Sequence, residues 1–298
     1  MKVFLTGSTG FIGKKLLRYL VGKGCEIIDY GRNADAFGSE FKGSQSIVGD
    51  LSNGELLSQV DWDNVDVIIH LAAAGVKASN RVWYDCIHAN VIGLQQLLNA
   101  VETVSSPPLL FFPTSFYQNY LENHPALQNN PYIVTKASAS RLVQLWAKRH
   151  PASRVVFATL FQVYGPGDDP GNIVTYTIQQ LKGGKKALLG SGSSKRDWVY
   201  VDDLIEGIWE SIELSLQKSQ TSFSQTYDLG RGEVLSIRQI VEKIATLCHA
   251  DRSLLEFDPS RDRGDSQIEA CAKEKVPGWR FHYSIEEGLL ECIDAYHL

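Results

Sequence analysis

Short, continuously apolar segments alternate with longer segments of helical periodicity over the first two-thirds of the chain. The apolar segments lie at residues 2–6, 26–30, 47–48, 65–72, 109–112 and 154–161. Between them, apolar residues recur at helical spacing in 11–21, 81–104 and 132–149. Strands without polar alternation are typical of a parallel sheet that helices cover on both faces. The pattern therefore predicts an α/β fold with a doubly wound parallel sheet.

The sequence changes character after about residue 165, where turn-rich and loop-rich stretches begin. Short strand-like runs there alternate with helical patterns at 201–217, 236–248 and 284–296. We predict a first domain of residues 1–164 and a smaller α/β C-terminal lobe of residues 165–298, with some chain crossing back to the first domain. A ligand cleft is expected between the two.

Charge and cysteine content exclude several classes of protein. The net charge is -5 and no basic stripe occurs, which disfavours a nucleic-acid partner. The five cysteines are scattered and never spaced C-x-x-C, so we expect no metal site and a reducing, cytoplasmic setting. Neither a signal sequence nor an uncharged apolar run of ~18 residues is found, so no membrane partner is expected.

Gly7, Gly10 and Gly13 follow the first predicted strand and open the first predicted helix. In such a turn the first glycine permits the bend, the second lets the backbone approach a diphosphate, and the third lets the helix pack closely. The helix N-terminus then offers N–H groups to that diphosphate. Since the spacing is not the usual G-x-G-x-x-G, its place between strand and helix carries the argument. A purely structural glycine cluster is the alternative.

The residues that end the second predicted strand separate NAD from NADP. A carboxylate there binds the adenosine ribose of NAD, whereas an arginine accommodates the 2′-phosphate of NADP. Asp29 lies inside the strand, Gly31 occupies the usual acidic position, and Arg32 follows it. A guanidinium binds phosphate with two hydrogen bonds, so NADP(H) is favoured and NAD(H) stays possible. Alternatively, Arg32 is a solvated loop cation.

Tyr132 and Lys136 lie four residues apart on one face of a helix predicted to start after Pro131. A neighbouring ammonium stabilises a phenolate and moves the phenol toward the pKa range of a useful acid–base catalyst. Ser115 closes the strand just upstream, where its hydroxyl could meet a substrate oxygen or merely cap the strand. The other pair with this spacing, in the first predicted helix, is interpreted as structural.

In this order, the glycine turn, the strand-end serine and Tyr-x-x-x-Lys resemble the extended short-chain dehydrogenases/reductases, the NAD(P)-dependent epimerase/dehydratase family that acts on nucleotide sugars. Further matching segments lie at 49–51, 70–73, 90–93, 163–167, 196–203 and 284–288. The resemblance implies a Rossmann-like NAD(P)-binding domain over 1–164 and a substrate-binding lobe over 165–298. It also implies a homodimer in which helices near 81–104 and 132–149 pack together.

The resemblance implies that Tyr132 is the general acid/base, that Lys136 holds the nicotinamide ribose and lowers the pKa of Tyr132, and that Ser115 binds the reacting oxygen. The cofactor-binding residues, with Tyr132 and Lys136, would be Gly7, Thr9, Gly10, Phe11, Ile12, Gly13, Arg32, Asn33, Asp50, Leu51, Leu71, Ala72, Ala73, Asn90 and Phe161. The substrate-binding residues would be Ser115, Gln162, Asn172, Arg196, Arg261 and Arg263.

Departures from the family pattern narrow the chemistry. Sugar 4,6-dehydratases carry Thr-Asp-Glu at the strand end, whereas this chain has Ser115, Phe116 and Tyr117, without a carboxylate. The short segment between Ser115 and Tyr132 is most similar to reductases of CDP-4-keto-6-deoxyhexoses, the abequose synthase type.

We therefore predict an oxidoreductase of deoxysugar biosynthesis, an NADPH-dependent reductase of a nucleotide-linked 4-keto-6-deoxysugar. An NAD-dependent nucleotide-sugar 4-epimerase is the alternative. A reductase of another carbonyl compound and a non-catalytic NADP-binding sensor also stay open.

Overall fold

The computed structural model describes residues 1–33, 44–54, 56–77, 80–218, 222–262 and 264–296. They form two compact units. Unit 1 comprises Met1–Gln118, Asn130–Thr159 and Trp209–Tyr227, and unit 2 comprises Asn119–Asn129, Leu160–Ile208 and Asp228–Leu298. The assignment of cofactor binding to 1–164 and substrate binding to 165–298 stays a prediction. Within the described ranges, no helix has both the length and the apolar character needed to span a membrane.

The strands of both units are numbered in chain order. They are β1 (Lys2–Thr6), β2 (Glu26–Gly31), β3 (Gln45–Val48), β4 (Val67–His70), β5 (Leu109–Ser115), β6 (Arg154–Leu160), β7 (Gln162–Tyr164), β8 (Ala187–Leu189), β9 (Lys195–Tyr200), β10 (Phe223–Leu229), β11 (Val234–Ser236), β12 (Leu255–Phe257) and β13 (Glu269–Ala270). A seven-stranded sheet has the order β10-β6-β5-β4-β1-β2-β3. The pairs β3–β2, β2–β1, β1–β4 and β4–β5 are parallel, so the predicted doubly wound, Rossmann-like fold class is confirmed.

The helices are likewise numbered along the chain. They are α1 (Phe11–Gly22), α2 (Trp83–Ile87), α3 (Gly93–Ala100), α4 (Pro125–Gln128), α5 (Pro131–Arg149), α6 (Ile173–Lys182), α7 (Val201–Leu216), α8 (Ile237–Leu247) and α9 (Ile285–Asp294). The helical segment predicted over 81–104 is observed from Trp83 to Ala100, where a π-helical turn at His88–Ile92 joins α2 to α3 without a break in the helical backbone. Such turns insert an extra residue into a helix and are frequent at functional sites.

Both faces of the unit 1 sheet are buried, which explains the uninterrupted apolar strands. Phe4, Ile28 and Phe112 lie on one face in a cluster to which α3 and α5 also contribute side chains. Val3 and Leu5 belong to the opposite face and are fully buried, and α1 packs against β2. A strand that is covered on two faces has no position for a solvated polar side chain.

Unit 2 is built around β9. This strand pairs with β11 in the antiparallel sense and with β7 and β13 in the parallel sense. A separate pair, β8–β12, is parallel. The rings of Trp198 and Tyr200 on β9 both contact the ring of Tyr164 on β7 edge-on. The mixed sheet and its helices agree with the smaller α/β lobe expected from the sequence.

Candidate active site

The glycine turn after β1 is crowded by the protein's own backbone. Gly7 has a φ of 79°, and a Cβ there would lie 2.6 Å from the amide nitrogen of Ala72. A Cβ on Gly13 would lie 2.0 Å from the Gly7 carbonyl oxygen. Gly10 is the N-cap of α1, and no side chain of the described residues caps this helix. The N–H groups of its first turn are therefore available to an anion, which fits a cofactor diphosphate.

The ends of β1 and β4 are joined by a buried histidine. His70 Nδ1 lies 2.9 Å from Thr6 Oγ1, which in turn accepts a hydrogen bond from the Ala72 amide at 3.2 Å. The imidazole stacks on the Phe112 ring. Burial, assisted by the charge of Lys136, lowers the pKa of His70 to about 3. The imidazole is therefore neutral and structural, and it fixes the start of the segment that carries the predicted cofactor residues Leu71, Ala72 and Ala73.

Arg32 and Asn33 are exposed directly after β2. Asp50, after β3, accepts hydrogen bonds from the hydroxyl (2.7 Å) and the amide (2.9 Å) of Ser52. These bonds, together with the nearby Arg32 charge, hold the pKa of Asp50 below its usual range. Leu51 is buried beside it. The end of β2 thus presents an exposed cation directly after Gly31, the position at which NAD-binding proteins of this fold usually carry a carboxylate.

Asp29 lies inside β2, as predicted, and its side chain is buried. Ser8, the buried second residue of the glycine turn, forms a hydrogen bond with this carboxyl. The Asp29 Oδ1 atom has no hydrogen-bond partner among the described residues. Burial raises the pKa of Asp29, and the bond to Ser8 offsets part of the rise. No motif in the sequence predicts this contact beneath the turn.

Ser115 ends β5 and is buried. Its amide donates a hydrogen bond to Gln118 Oε1 at 3.1 Å, and Gln118 Nε2 donates to Ser140 Oγ at 2.9 Å. The Ser140 hydroxyl donates to the Lys136 carbonyl oxygen at 3.0 Å. A chain of hydrogen bonds therefore links the strand end to α5. Phe116 and Tyr117, which replace the dehydratase carboxylates, stack on each other.

Helix α5 begins with a well-defined cap that positions the Tyr-x-x-x-Lys motif. Asn130 Oδ1 accepts from the Tyr132 and Ile133 amides, and Pro131 occupies the first turn. The buried Lys136 ammonium donates to the Pro113 carbonyl oxygen at 2.8 Å. Burial lowers the pKa of Lys136 to about 8. The ammonium is therefore held near the end of β5, at a residue two positions before Ser115.

Burial raises the pKa of Tyr132 to about 12. The cation that opposes this rise most is Arg81, whereas the resemblance implied Lys136 for that role. Ser115, Tyr132 and Lys136 all belong to unit 1. Their catalytic roles stay predictions.

The π-helical turn presents Asn90 to two neighbouring segments. Asn90 Nδ2 donates to the Ala74 carbonyl oxygen at 3.1 Å and to Thr135 Oγ1 at 2.9 Å. Its Oδ1 accepts from the Ala74 amide at 2.8 Å. Asn90 thus ties the segment after β4 to α5. Its predicted contact with the cofactor stays a prediction.

Arg196, a predicted substrate residue on β9, is buried and forms an ion pair with Asp265 at 2.9 Å. Its Nη1 also donates to the carbonyl oxygens of Lys195 and Ile268 at 2.9 and 2.8 Å. These contacts anchor the segment that follows residue 264. The guanidinium thus already stabilises unit 2, which the sequence did not suggest.

The other predicted residues of unit 2 differ in exposure. Asn172 is the exposed N-cap of α6 and donates to Asp168 at 2.7 Å. Arg261 is exposed and lies 3.5 Å from Asp258. Gln162 begins β7 and is half-buried, and Phe161 before it is buried. Arg263 lies outside the described residues.

The family model described as "NAD dependent epimerase/dehydratase family" matches residues 3–227. The chain belongs to this family. Its relatives include the low-salt glycan biosynthesis protein Agl12 of Haloferax volcanii, 28% identical over 99% of this chain and 98% of that protein. A CDP-abequose synthase of Salmonella typhimurium is 26% identical over 98% of this chain and 97% of its own.

Solved structures of similar proteins have the same fold. The dTDP-glucose 4,6-dehydratase of Bacillus anthracis in complex with NAD has a TM-score of 0.81 and 25% identity, covering 99% of this chain and 96% of its own. The UDP-glucose 4-epimerase of Thermotoga maritima has a TM-score of 0.83 and 21% identity, covering 99% and 98%. The family resemblance stated from the motifs is confirmed.

Several family motifs of unit 2 turn out to satisfy buried backbone. Asp197, from the matching segment 196–203, is fully buried and accepts hydrogen bonds from the Arg231, Gly232 and Ala272 amides. A Cβ on Gly288 would lie 2.6 Å from the Tyr164 hydroxyl oxygen. These positions of the family motifs therefore have a structural role in unit 2. The residues that the sequence missed, Arg81 and Gln118 above all, lie outside the matching motifs.

Proposed function

We propose that this member of the epimerase/dehydratase family is an NADPH-dependent reductase of a nucleotide-linked 4-keto-6-deoxysugar. The observation that carries the proposal is Arg32, an exposed cation at the end of β2. Asp29, the carboxylate near the end of β2, is buried within the strand and forms a hydrogen bond with Ser8. A cation at the ribose position favours NADPH, the cofactor used as a consumed reductant. Similarity to a CDP-abequose synthase supports a nucleotide-sugar substrate.

The residues of unit 1 suit the reduction of a carbonyl group. The cofactor, when bound, would supply a hydride to the keto carbon. The Tyr132 hydroxyl would give its proton to the keto oxygen, which the Ser115 hydroxyl would hold by a hydrogen bond. Lys136, whose buried ammonium already donates to the Pro113 carbonyl, would bind the nicotinamide ribose. The N–H groups at the start of α1 would bind the diphosphate.

The end of β5 supports reduction over dehydration. Elimination of water from a sugar needs an additional acid and base, and the stacked Phe116 and Tyr117 offer no carboxyl group. The half-buried ring of Tyr117 would suit contact with the apolar face of a sugar or a base. For the nucleotide part we propose Gln162, Asn172, Arg261 and Arg263 as contacts, whereas the buried Arg196 would hold the segment of residues 265–268 in place.

We also propose a homodimer through α2. Val82, Trp83, Tyr84 and Ile87 are 52%, 46%, 67% and 41% exposed, a concentration of large apolar side chains on a short segment. Such a patch on a folded protein marks an interaction surface. Light scattering should give twice the chain mass, and Trp83→Glu should give monomers. A monomeric wild-type protein would contradict this part of the proposal.

All five cysteines are free thiols. Free, partly buried thiols suit a reducing compartment, and this supports our proposal that the enzyme works in the cytoplasm.

A fluorescence titration with NADPH and NADH tests the cofactor without knowledge of the substrate. We expect NADPH to bind about tenfold more tightly or better, because a charge-assisted contact with phosphate contributes ~1.5–3 kcal/mol. Arg32→Ala should remove this preference and leave NADH binding unchanged. Arg18→Ala removes an exposed cation on α1 and is the matched control. Preference for NADH in the wild type would contradict the proposal.

The substrate class is then tested with 4-keto-6-deoxysugars linked to CDP, UDP or dTDP. Oxidation of NADPH with one of these supports the reductase. NAD that stays bound through purification, interconversion of C4 epimers and no consumption of NADPH would instead support the 4-epimerase.

A further inference from the structure

Arg81 lies just before α2 and is held by the backbone of the segment that follows β4. Its Nε donates to the Gly75 carbonyl oxygen at 3.1 Å, and its Nη2 lies 3.5 Å from the Val76 carbonyl oxygen. The side chain is half-buried. Two carbonyl contacts therefore restrain the planar guanidinium, while part of it stays in water.

Gly75 brings this segment against the side chain of Tyr132. Gly75 is buried and has a φ of 82°. A Cβ there would lie 3.1 Å from Tyr132 Cβ and 2.5 Å from Cys86 Sγ. Both the backbone conformation and the close approach require glycine. The carbonyl that anchors Arg81 thus belongs to a residue in contact with the tyrosine.

We propose that Arg81 is a positioning residue whose charge, anchored on Gly75, stabilises the phenolate form of Tyr132. The inference rests on the proposed function, in which Tyr132 is the acid. In that step the phenol proton passes to the keto oxygen, and a hydride from the reduced nicotinamide forms the new C–H bond. The electron pair of the broken O–H bond stays on Tyr132, so a nearby cation favours the product side of the transfer.

The groups around Tyr132 support a division of work between two cations. Burial disfavours the phenolate and raises the pKa of Tyr132, and Tyr117 and Cys86 add to the rise. Arg81 acts most strongly in the opposite direction. Lys136, one turn further along α5, directs its ammonium to the Pro113 carbonyl oxygen. Arg81 would therefore stabilise the phenolate of Tyr132, whereas Lys136 would bind the nicotinamide ribose.

The test is a direct titration of residue 132 in the full chain, without substrate or cofactor. Trifluorotyrosine, whose phenol is far more acidic than that of tyrosine, is incorporated at position 132 and followed by fluorine NMR against pH. Arg81→Gln should raise the midpoint by about 0.5–1 pH unit, as expected for the loss of a partly solvated neighbouring cation. Arg81→Lys keeps the positive charge without the planar guanidinium. Its midpoint should therefore lie at least half of the way back from the Arg81→Gln value to the wild-type value.

Lys77→Gln removes an exposed charge from the same segment and is the matched control. It should leave the midpoint unchanged. An Arg81→Gln midpoint within ~0.2 pH unit of wild type, or an equal shift in Lys77→Gln, would overturn the proposal. The result does not depend on the reaction, so it stands or falls separately from the reductase assignment.

A salt titration keeps the test decisive if Arg81→Gln does not fold. Raising the ionic strength from about 0.05 M to about 1 M shortens the screening length to ~3 Å. The wild-type midpoint should then rise toward the value of the uncharged variant. A wild-type midpoint that does not respond to salt would overturn the proposal.

Discussion

The amide of Ser115 donates to the side-chain oxygen of Gln118 at 3.1 Å, three residues further along the chain. The other end of the same side chain donates to Ser140 on α5 at 2.9 Å. One amide group therefore sets the distance between the end of β5 and the helix that carries Tyr132 and Lys136. In the proposed reaction Ser115 and Tyr132 both bind the keto oxygen of the substrate, and such a pair needs this restraint.

Gln118→Ala should lower the turnover of the reductase about tenfold, since losing one restraining hydrogen bond costs ~1 kcal/mol or more. NADPH affinity should stay within about threefold, because the residue lies outside the proposed cofactor contacts. Gln118→Glu keeps the acceptor for Ser115 and should recover part of the rate. Gln144→Ala, on an exposed position of α5, is the control. Unchanged turnover in Gln118→Ala would refute the positioning role.

Tyr132→Phe should reduce turnover by about 10²–10⁴, the usual contribution of a positioned proton donor. NADPH binding should be preserved, because the ring and the helix cap are retained. Tyr19→Phe is the matched control, since Tyr19 and Lys23 have the same spacing and the Lys23 ammonium lies 5.1 Å from the centre of the Tyr19 ring. Both are measured by NADPH oxidation. A Tyr132→Phe enzyme of near wild-type rate would exclude the phenol as the acid.

Acid should destabilise the protein through His70. Its pKa is about 3 in the folded chain, against ~6.5 when unfolded. The unfolded chain then binds one more proton between these values, so stability falls by about 1.4 kcal/mol for each pH unit below 6.5. His70→Asn should flatten the decline of the melting temperature between about pH 7 and pH 4.5. His249→Asn, at an exposed site, should not, and equal slopes in both variants would contradict the assignment.

Asp29 should have the opposite sign of pH dependence. Because its folded pKa is raised, the folded chain holds the proton longer and loses stability as the pH rises through the ordinary range of aspartate. Asn keeps a polar side chain toward Ser8 without the charge. Asp29→Asn should therefore melt roughly 2–4 °C higher at neutral pH. The gain should vanish in acid.

The exposed Asp63 provides the comparison for Asp29. Asp63→Asn should leave the melting temperature unchanged across the same pH range. If Asp29→Asn instead melted lower at neutral pH, the carboxylate would be a stabilising, ionised group, and its contact with Ser8 would need another explanation.

The fold could be predicted from the sequence because strands that are buried on both faces are continuously apolar. The predicted strands at 2–6 and 26–30 and the helix at 132–149 agree closely with β1, β2 and α5. The glycine turn and the tyrosine motif are local patterns, and their places beside predicted strands and helices identified them. The π-helical turn between α2 and α3 was not predicted, because it keeps the same apolar composition as the helix around it.

The contacts that tune the site were missed for a different reason. Arg81 and Gln118 bond the Gly75 carbonyl and the Ser115 amide, only six and three residues away, but neither side chain belongs to a motif of the family. Arg196 is the opposite case, a residue that a motif did identify. The motif predicted a ligand contact, whereas in the folded chain the guanidinium forms an ion pair with Asp265. A motif states which residue type is present, and the partner of that residue is decided by the fold.

Gly7 and Gly13 are each pressed against main-chain atoms of the protein itself. A descendant that lost its cofactor would still be obliged to keep both glycines in order to fold. The glycine motif is therefore expected to persist in evolution after the activity is lost. Its presence in a sequence indicates the fold and does not by itself indicate an active enzyme.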